Sequence, residues 1–290
     1  MVIWVVGVGG VGGWIAHQLA SAGETVHLLV RSGSESRWRT TGLKLVTEDG
    51  PKSPLMLSVS SDPKDLPTPG LVVITVKTPD LAPVLQGLGP SLPKGCPVLL
   101  FQNGLGAGEL AQAMVPQCVA YHAPVFVQGW TSAPGEVTAL RPRKMVLPDQ
   151  PDILAVFRRA GFEVDPSSDL ALALWRKAAF LIAFAAIDLE VEGGASAILQ
   201  NPRYEELIKE LCLFAAVEGH PIPESAVAEI LTFTRNLPSD SHSSLYRDFQ
   251  QGREGEWEDL IGWCQRRARS RFLDLPVLQS LKKPALTLGV

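Results

Sequence analysis

Two rhythms of apolar and polar positions divide this chain near residue 166. Before it, short apolar runs of strand length alternate with stretches whose apolar residues recur at helical spacing; after it only the helical rhythm continues. Val2-Ile3-Trp4-Val5-Val6 is the first run, and Trp14, Ile15, Leu19 and Ala20 mark the helix behind it, which Gly23 stops. A second buried strand follows over residues 25–30. Residues 70–77 and 97–101 read as two more, with a helix at 81–88 between them. Leu55-Met56-Leu57-Ser58-Val59 reads as a short edge strand, and residues 32–50 as polar loop. Residues 119–127 and 136–147 lean towards β-structure around a Pro134-Gly135 turn and are expected to add antiparallel strands at the sheet edge. A helix over 153–160 and a short strand over 162–164 complete the series. Strands alternating with helices imply right-handed crossovers and a mostly parallel, doubly wound sheet.

The polar stretch Asp165-Pro166-Ser167-Ser168-Asp169 marks the expected boundary between a domain at 1–166 and one at 167–290. The second reads as entirely helical, over residues 170–189, 204–219, 224–237 and 256–269. No internal repeat or low-complexity segment interrupts either part.

The first strand runs directly into Gly7-Val8-Gly9-Gly10-Val11-Gly12. In this spacing Gly7 permits the tight turn, Gly9 lets the amides around Gly10 and Val11 approach a pyrophosphate, and Gly12 lets the helix pack close to the sheet. The strand before and the helix after give the motif its weight, and the phosphates then sit at a helix N-terminus. The acidic residue that would receive the ribose hydroxyls of NAD is absent from the end of the second strand, where Arg31 stands instead. A guanidinium there suits a 2′-phosphate, so the expected cofactor is NADP(H); a solvated strand-end charge is the plain alternative. The expected fold class is α/β, an N-terminal Rossmann-type doubly wound sheet followed by a C-terminal all-helical domain.

At 290 residues and 46% hydrophobic content the chain is long enough for two cores. Its 26 Lys and Arg against 30 Asp and Glu leave a net charge of −4, which gives no basic field for nucleic acid. Cys96, Cys118, Cys212 and Cys264 lack metal-ligand spacing and read as buried thiols of a cytoplasmic protein. Because residue 2 already begins a core strand, no leader segment is expected. Residues 178–187, the most apolar later stretch, are too short to cross a bilayer, so no membrane association is expected.

Three polar features stand out against this scaffold: Lys77 at one strand end, Gln102-Asn103-Gly104 at another, and Lys177 within an apolar helix. The first two lie at the carboxyl ends of parallel strands, the edge where open α/β sheets bind ligands. Lys77 suits a cofactor phosphate or ribose, and Asn103 a ribose or substrate; a solvated lysine and an Asn-Gly turn are the plain alternatives. Lys177 has Leu174, Trp175, Ala178 and Leu181 around it. Desolvation lowers the pKa of an ammonium and a nearby carboxylate raises it, so such a group is poised to donate a proton near neutrality. Reduction of a ketone by hydride needs that donor, whereas a lysine that snorkels over the core does not.

These residues, in this order, resemble the ketopantoate reductase (2-dehydropantoate 2-reductase) family. The likeness is carried by the glycine turn, Arg31, Thr75-Val76-Lys77, Gln102-Asn103-Gly104, Trp175-Arg176-Lys177, Ser243-Ser244-Leu245-Tyr246-Arg247-Asp248 and Glu256, and spans nearly the whole chain. The resemblance implies NADPH-dependent reduction of 2-dehydropantoate to pantoate, with Lys177 as general acid and Glu256 binding substrate and cofactor and setting the lysine's environment. It also implies that Ser244 holds the substrate carboxylate, that Asn103 touches both substrate and cofactor, and that Gly9, Gly12, Arg31 and Lys77 bind cofactor. A helical domain placing Lys177 over the nicotinamide, and a homodimer, are further expectations of the same kind.

One departure changes the substrate picture. Family members carry asparagines four and eight residues after the lysine, where this chain has Leu181 and Ala185, and a later one is missing near Glu192-Gly193-Gly194-Ala195. Losing those hydrogen bonds weakens selection of a hydroxyl-bearing acid strongly. A more apolar 2-oxo acid is therefore one alternative; a catalytically silent NADP-binding or sensor protein and a related dehydrogenase acting on an amine or an imine are others.

Overall fold

The computed structural model describes residues 1–285, apart from the side chains of residues 141 and 142. The chain falls into two compact units: Met1–Gln102 with Ala107–Leu170, and Asn103–Gly106 with the chain from Ala171 onward.

Six strands of the first unit form one parallel sheet: β1 (Val2–Val6), β2 (Thr25–Leu29), β5 (Ser58–Ser60), β6 (Leu71–Ile74), β7 (Pro97–Leu100) and β8 (Val119–His122). Their spatial order is β5-β2-β1-β6-β7-β8, so the direction of winding reverses between β1 and β6, the switch point at which such sheets bind ligands. Both faces are covered. Ile3, Val5, Val73 and Leu99 enter one core with Trp14 and Leu19 of α1 (Gly10–Ser21) and Ile153 and Phe157 of α5 (Pro151–Arg159). Trp4, Val6, Val72, Ile74 and Val98 enter the other with Leu81, Leu85 and Leu88 of α3 (Thr78–Leu88) and Ala107 and Ala111 of α4 (Ala107–Met114). Alternate residues thus serve opposite cores, which is why these strands read as continuous apolar runs. Each large side chain so buried contributes roughly 1.5–3 kcal/mol.

Residues 32–50 are not a loop. They contain α2 (Glu35–Thr41) and β3 (Lys44–Thr47). The helix buries only Trp38, so it has no apolar stripe for periodicity to reveal. The expectation for residues 119–147 is also corrected: β8 joins the main sheet parallel to β7, because the intervening α4, absent from the sequence reading, is a crossover that returns the chain in the same direction. Beyond it, β9 (Val125–Ala133) and β10 (Glu136–Pro148) form an antiparallel hairpin in a second sheet. There β10 also pairs in parallel with β3 and β11 (Glu163–Ser167), and β4 (Gly50–Pro51) lies outside β3. The expected edge strand falls at Ser58–Ser60.

The second unit is helical: α6 (Leu170–Asp188), α7 (Gly194–Gln200), α8 (Pro202–Val217), α9 (Ser225–Arg235), α10 (Ser244–Gln250), α11 (Trp263–Ser270) and α12 (Pro276–Ser280), with a π-turn at Glu258–Gly262 before α11. At 19 residues α6 is long and apolar enough to cross a bilayer, so the length argument from residues 178–187 does not hold. Burial identifies it instead: Ala178, Ile182, Ala183 and Ile187 lie in one core with Leu207, Leu211, Phe214 and Ile261. Glu218, just past α8, ties that helix to α11 through Arg267 Nη2 and Arg271 Nε, both at 2.7 Å. Burial alone raises its carboxyl pKa, but the two guanidinium groups outweigh that and hold it at about 2. All four cysteines are free thiols, and only Cys212 is not fully buried.

Candidate functional site

The glycine turn leaves β1 through Gly7, whose φ of +89° and closeness to Val76 admit no side chain. Thr75, just past β6, donates its hydroxyl to the Gly7 carbonyl at 2.6 Å and braces the turn. A Cβ on Gly12 would fall on that carbonyl and that hydroxyl, so this glycine sets the approach of α1 to the sheet. Gly9 opens onto free space and is the N-cap of α1, which has no side-chain cap and no acidic residue in its first turn. Its leading amides, with those of half-buried Val11, are thus available to an anion. Gly10 also packs on the backbone of Gly129 and Trp130 in β9, which leaves no room for a side chain there.

Arg31 and Lys77 lie at the same carboxyl edge of the sheet, past the ends of β2 and β6. Arg31 Nη2 meets Asp80 Oδ2 at 2.6 Å, but the side chains are 83% and 43% exposed. A pair so open to water is worth about 0–1 kcal/mol, which leaves the guanidinium free to exchange partners. Lys77 is exposed and is the N-cap residue of α3. The glycines, uncapped helix amides and strand-end arginine therefore fit a phosphorylated dinucleotide. Asp80 is a carboxylate beside that arginine that the sequence reading overlooked, legible only as a first-turn acid of α3.

In the helical unit, the Lys177 ammonium donates to Asn103 Oδ1 at 2.7 Å. The local sequence explains how Asn103 comes to be there. Gln102, its neighbour, donates its amide to the Ile74 and Val76 carbonyls at 3.2 and 2.8 Å and accepts from His122 Nε2 at 2.9 Å, so the chain leaves β7 along a fixed path. Leu105 then enters the helical core and Gly106 packs on the Trp263 indole.

Lys177 retains some solvent contact, yet so much protein surrounds it that desolvation pulls the ammonium pKa down to about 8, against the opposing charge of Glu256. Glu256 is placed by the turn after α10. Arg253 Nε and Nη2 clasp Asp248 Oδ1 at 2.9 and 2.6 Å, and Gly255 packs on Leu245 and Asp248. Asp259, one turn further, has its carboxyl pKa raised by burial and then by Glu256, which marks it as a neighbour of the site that sequence spacing did not single out.

Ser244 is exposed and begins α10, whose N-cap Ser243 accepts from Tyr246 N at 3.0 Å. Taken alone it reads as loop, because the seven-residue helix is too short for periodicity to reveal. Leu181 is half-buried on α6, whereas Ala185 is 2% exposed and forms part of the core. Neither offers a polar group where an asparagine would. Among the described residues, no three His, Cys, Asp or Glu side chains gather to hold a metal.

Known proteins resemble this chain along nearly its whole length. The family model described as Ketopantoate reductase PanE/ApbA matches residues 3–152, and that described as Ketopantoate reductase PanE/ApbA C terminal matches residues 169–283. A 2-dehydropantoate 2-reductase of Halobacterium salinarum is 28% identical over 295 residues, covering 97% of this chain and 96% of its own. The crystal structure of a PanE/ApbA family ketopantoate reductase from Ralstonia eutropha matches with a TM-score of 0.86 at 25% identity, over 96% of this chain and 94% of that one. A ternary structure of D-mandelate dehydrogenase with NADH and anilino(oxo)acetate shares the fold, with a TM-score of 0.83 at 17% identity over 96% and 95% of the two chains.

Proposed function

The chain belongs to the ketopantoate reductase PanE/ApbA family and is an oxidoreductase; from that premise we propose that it uses NADPH to reduce a 2-oxo acid to the 2-hydroxy acid. The observation that carries the proposal is Lys177, held by Asn103 at 2.7 Å and brought by burial to a pKa of about 8. Gly7, Gly9, Gly10, Val11 and Gly12 at the start of α1 would receive the pyrophosphate, Arg31 the 2′-phosphate, and Lys77 a neighbouring phosphate or ribose. When bound, the dihydronicotinamide supplies a hydride to the carbonyl carbon.

Negative charge then collects on the carbonyl oxygen, and Lys177 Nζ gives it a proton. A pKa of about 8 keeps the ammonium protonated at neutral pH while holding its proton less tightly than an ordinary lysine does, which suits a general acid. Asn103 fixes the direction of the ammonium. Glu256 opposes desolvation and so keeps the acid charged until substrate arrives. Ser244 would hold the substrate carboxylate, as its counterparts in the family imply.

Kinship favours 2-dehydropantoate as the substrate. Leu181 favours a second reading within the same class, a branched 2-oxo acid with an apolar group in place of the hydroxyl, because an apolar wall gives that hydroxyl no partner. The test is NADPH oxidation against a panel of 2-dehydropantoate and branched apolar 2-oxo acids. Turnover of at least one is expected, and the preferred member decides between the two readings. Lys177→Ala should lower kcat by about 10²–10⁴ with NADPH affinity nearly intact. No turnover of any member by protein that binds NADPH removes the proposal, and an unchanged kcat in the variant removes the role of Lys177.

A further inference from the structure

Asp188 ends α6 and is entirely shielded from solvent. Both of its oxygens are engaged by one stretch of chain: Oδ1 accepts from His242 Nδ1 at 2.8 Å, and Oδ2 from the backbone N–H of Ser243 at 2.7 Å. Facing a carboxylate, which only accepts, the imidazole carries its proton on Nδ1. The same ring stacks on Tyr246 of α10, centroids 4.0 Å apart and planes 9° from parallel. The preceding residues are pinned to the start of α7, where Ala195 N and Ser196 N donate to Ser241 and Ser239 carbonyls, each at 3.0 Å. Gly194, at φ +63°, leaves no room for a side chain beside Asp240 and Ser241.

This acid does nothing for its own helix. A carboxylate at a helix C-terminus opposes the macrodipole, and burying it is costly where an apolar residue would end the helix as well. What it does fix is the start of α10, which is Ser244. Lys177 and Asp188 lie about three turns apart on one face of α6, ~16 Å along the axis. A single stiff helix therefore carries both the ammonium and the anchor of the serine.

We propose that Asp188 and His242 are a positioning pair for the substrate: they hold Ser244 at a set distance from Lys177, so that a 2-oxo acid whose carboxylate rests on Ser244 presents its carbonyl oxygen to the ammonium. The pair touches neither substrate nor cofactor. This inference rests on the 2-oxo acid reductase reading given above.

The experiment uses the full chain loaded with NADPH. Steady-state reduction of the preferred 2-oxo acid is measured alongside fluorescence titration with oxamate, an unreduced mimic of such an acid. Asp188→Asn can accept from one donor but sets an amide N–H against the other. It should raise KM and the oxamate Kd about tenfold or more, with kcat changed less than about threefold and the NADPH Kd unchanged. His242→Ala should act in the same sense, and His242→Asn, which can return a donor to Asp188, should recover most of the loss. Should Asp188→Asn not fold, the more peripheral His242 variants carry the test. Folded variants with wild-type KM and oxamate affinity overturn the inference, as does a loss that falls on kcat alone or a His242→Asn no better than His242→Ala. Failure of the reductase reading looks different: the wild-type protein then turns over no 2-oxo acid and binds no oxamate.

Discussion

At the scale of single residues, the proposed use of NADPH turns on Arg31. Its ion-pair partner, Asp80, is a half-exposed carboxylate on α3, so a 2′-phosphate can replace it at little cost. Arg31→Ala should raise the NADPH Kd by about tenfold to a hundredfold and move the NADH Kd by less than about twofold, as read by fluorescence titration. Equal weakening of both would mean that Arg31 supports the fold of the site and does not read the phosphate. Residue chemistry was legible wherever it depended on local spacing. The Gly7-to-Gly12 turn could be placed from sequence because strand, turn and helix are consecutive. The contacts made by Asp80, Thr75 and Asp188 could not, since each acts on a residue far along the chain and none breaks a local pattern.

At the scale of elements, the helices with a wide apolar face were visible and the short or solvated ones were not. The helices α6, α8 and α9 came within a few residues of their expected ends, whereas α2, α7, α10 and α12 have seven residues or fewer and too few buried positions to set a period. The second sheet was hidden for a different reason: β3 pairs with β10 across about ninety residues of chain, Lys44 opposite Glu136, which no local window can see. Contacts between elements carry their own test. Glu218 holds the end of α8 to α11, with a folded pKa of about 2 against an ordinary value of 4.5. Because the folded pKa is the lower one, the stabilisation is complete above about pH 4.5 and is lost as pH falls towards 2. Glu218→Gln should therefore cost about 2 kcal/mol in urea unfolding at pH 7, and the gap from wild type should close below pH 4. A gap that stays constant with pH would show that packing, not charge, joins the two helices.

For the molecule as a whole, two cores and two styles of folding divide the chemistry. The parallel sheet offers uncapped helix amides and a cation at its carboxyl edge, and the helical unit offers a desolvated ammonium with its own acceptor and counter-charge. That Lys177 stands in apolar surroundings could be read from the sequence; that Asn103 leaves its strand to join the helical unit could not, because Leu105 and Gly106 reveal their packing only against Trp263 and its neighbours. The central claim is that Lys177 is an acid tuned by burial against Glu256, and its most direct measurement is the pH dependence of kcat/KM for the preferred 2-oxo acid at saturating NADPH, in wild type and Glu256→Gln. The expected profile falls as pH rises through about 8, and its limb moves to lower pH in the variant, where desolvation acts unopposed. A flat wild-type profile across pH 7–9.5, or a limb that stays in place when the carboxylate is neutralised, would contradict it.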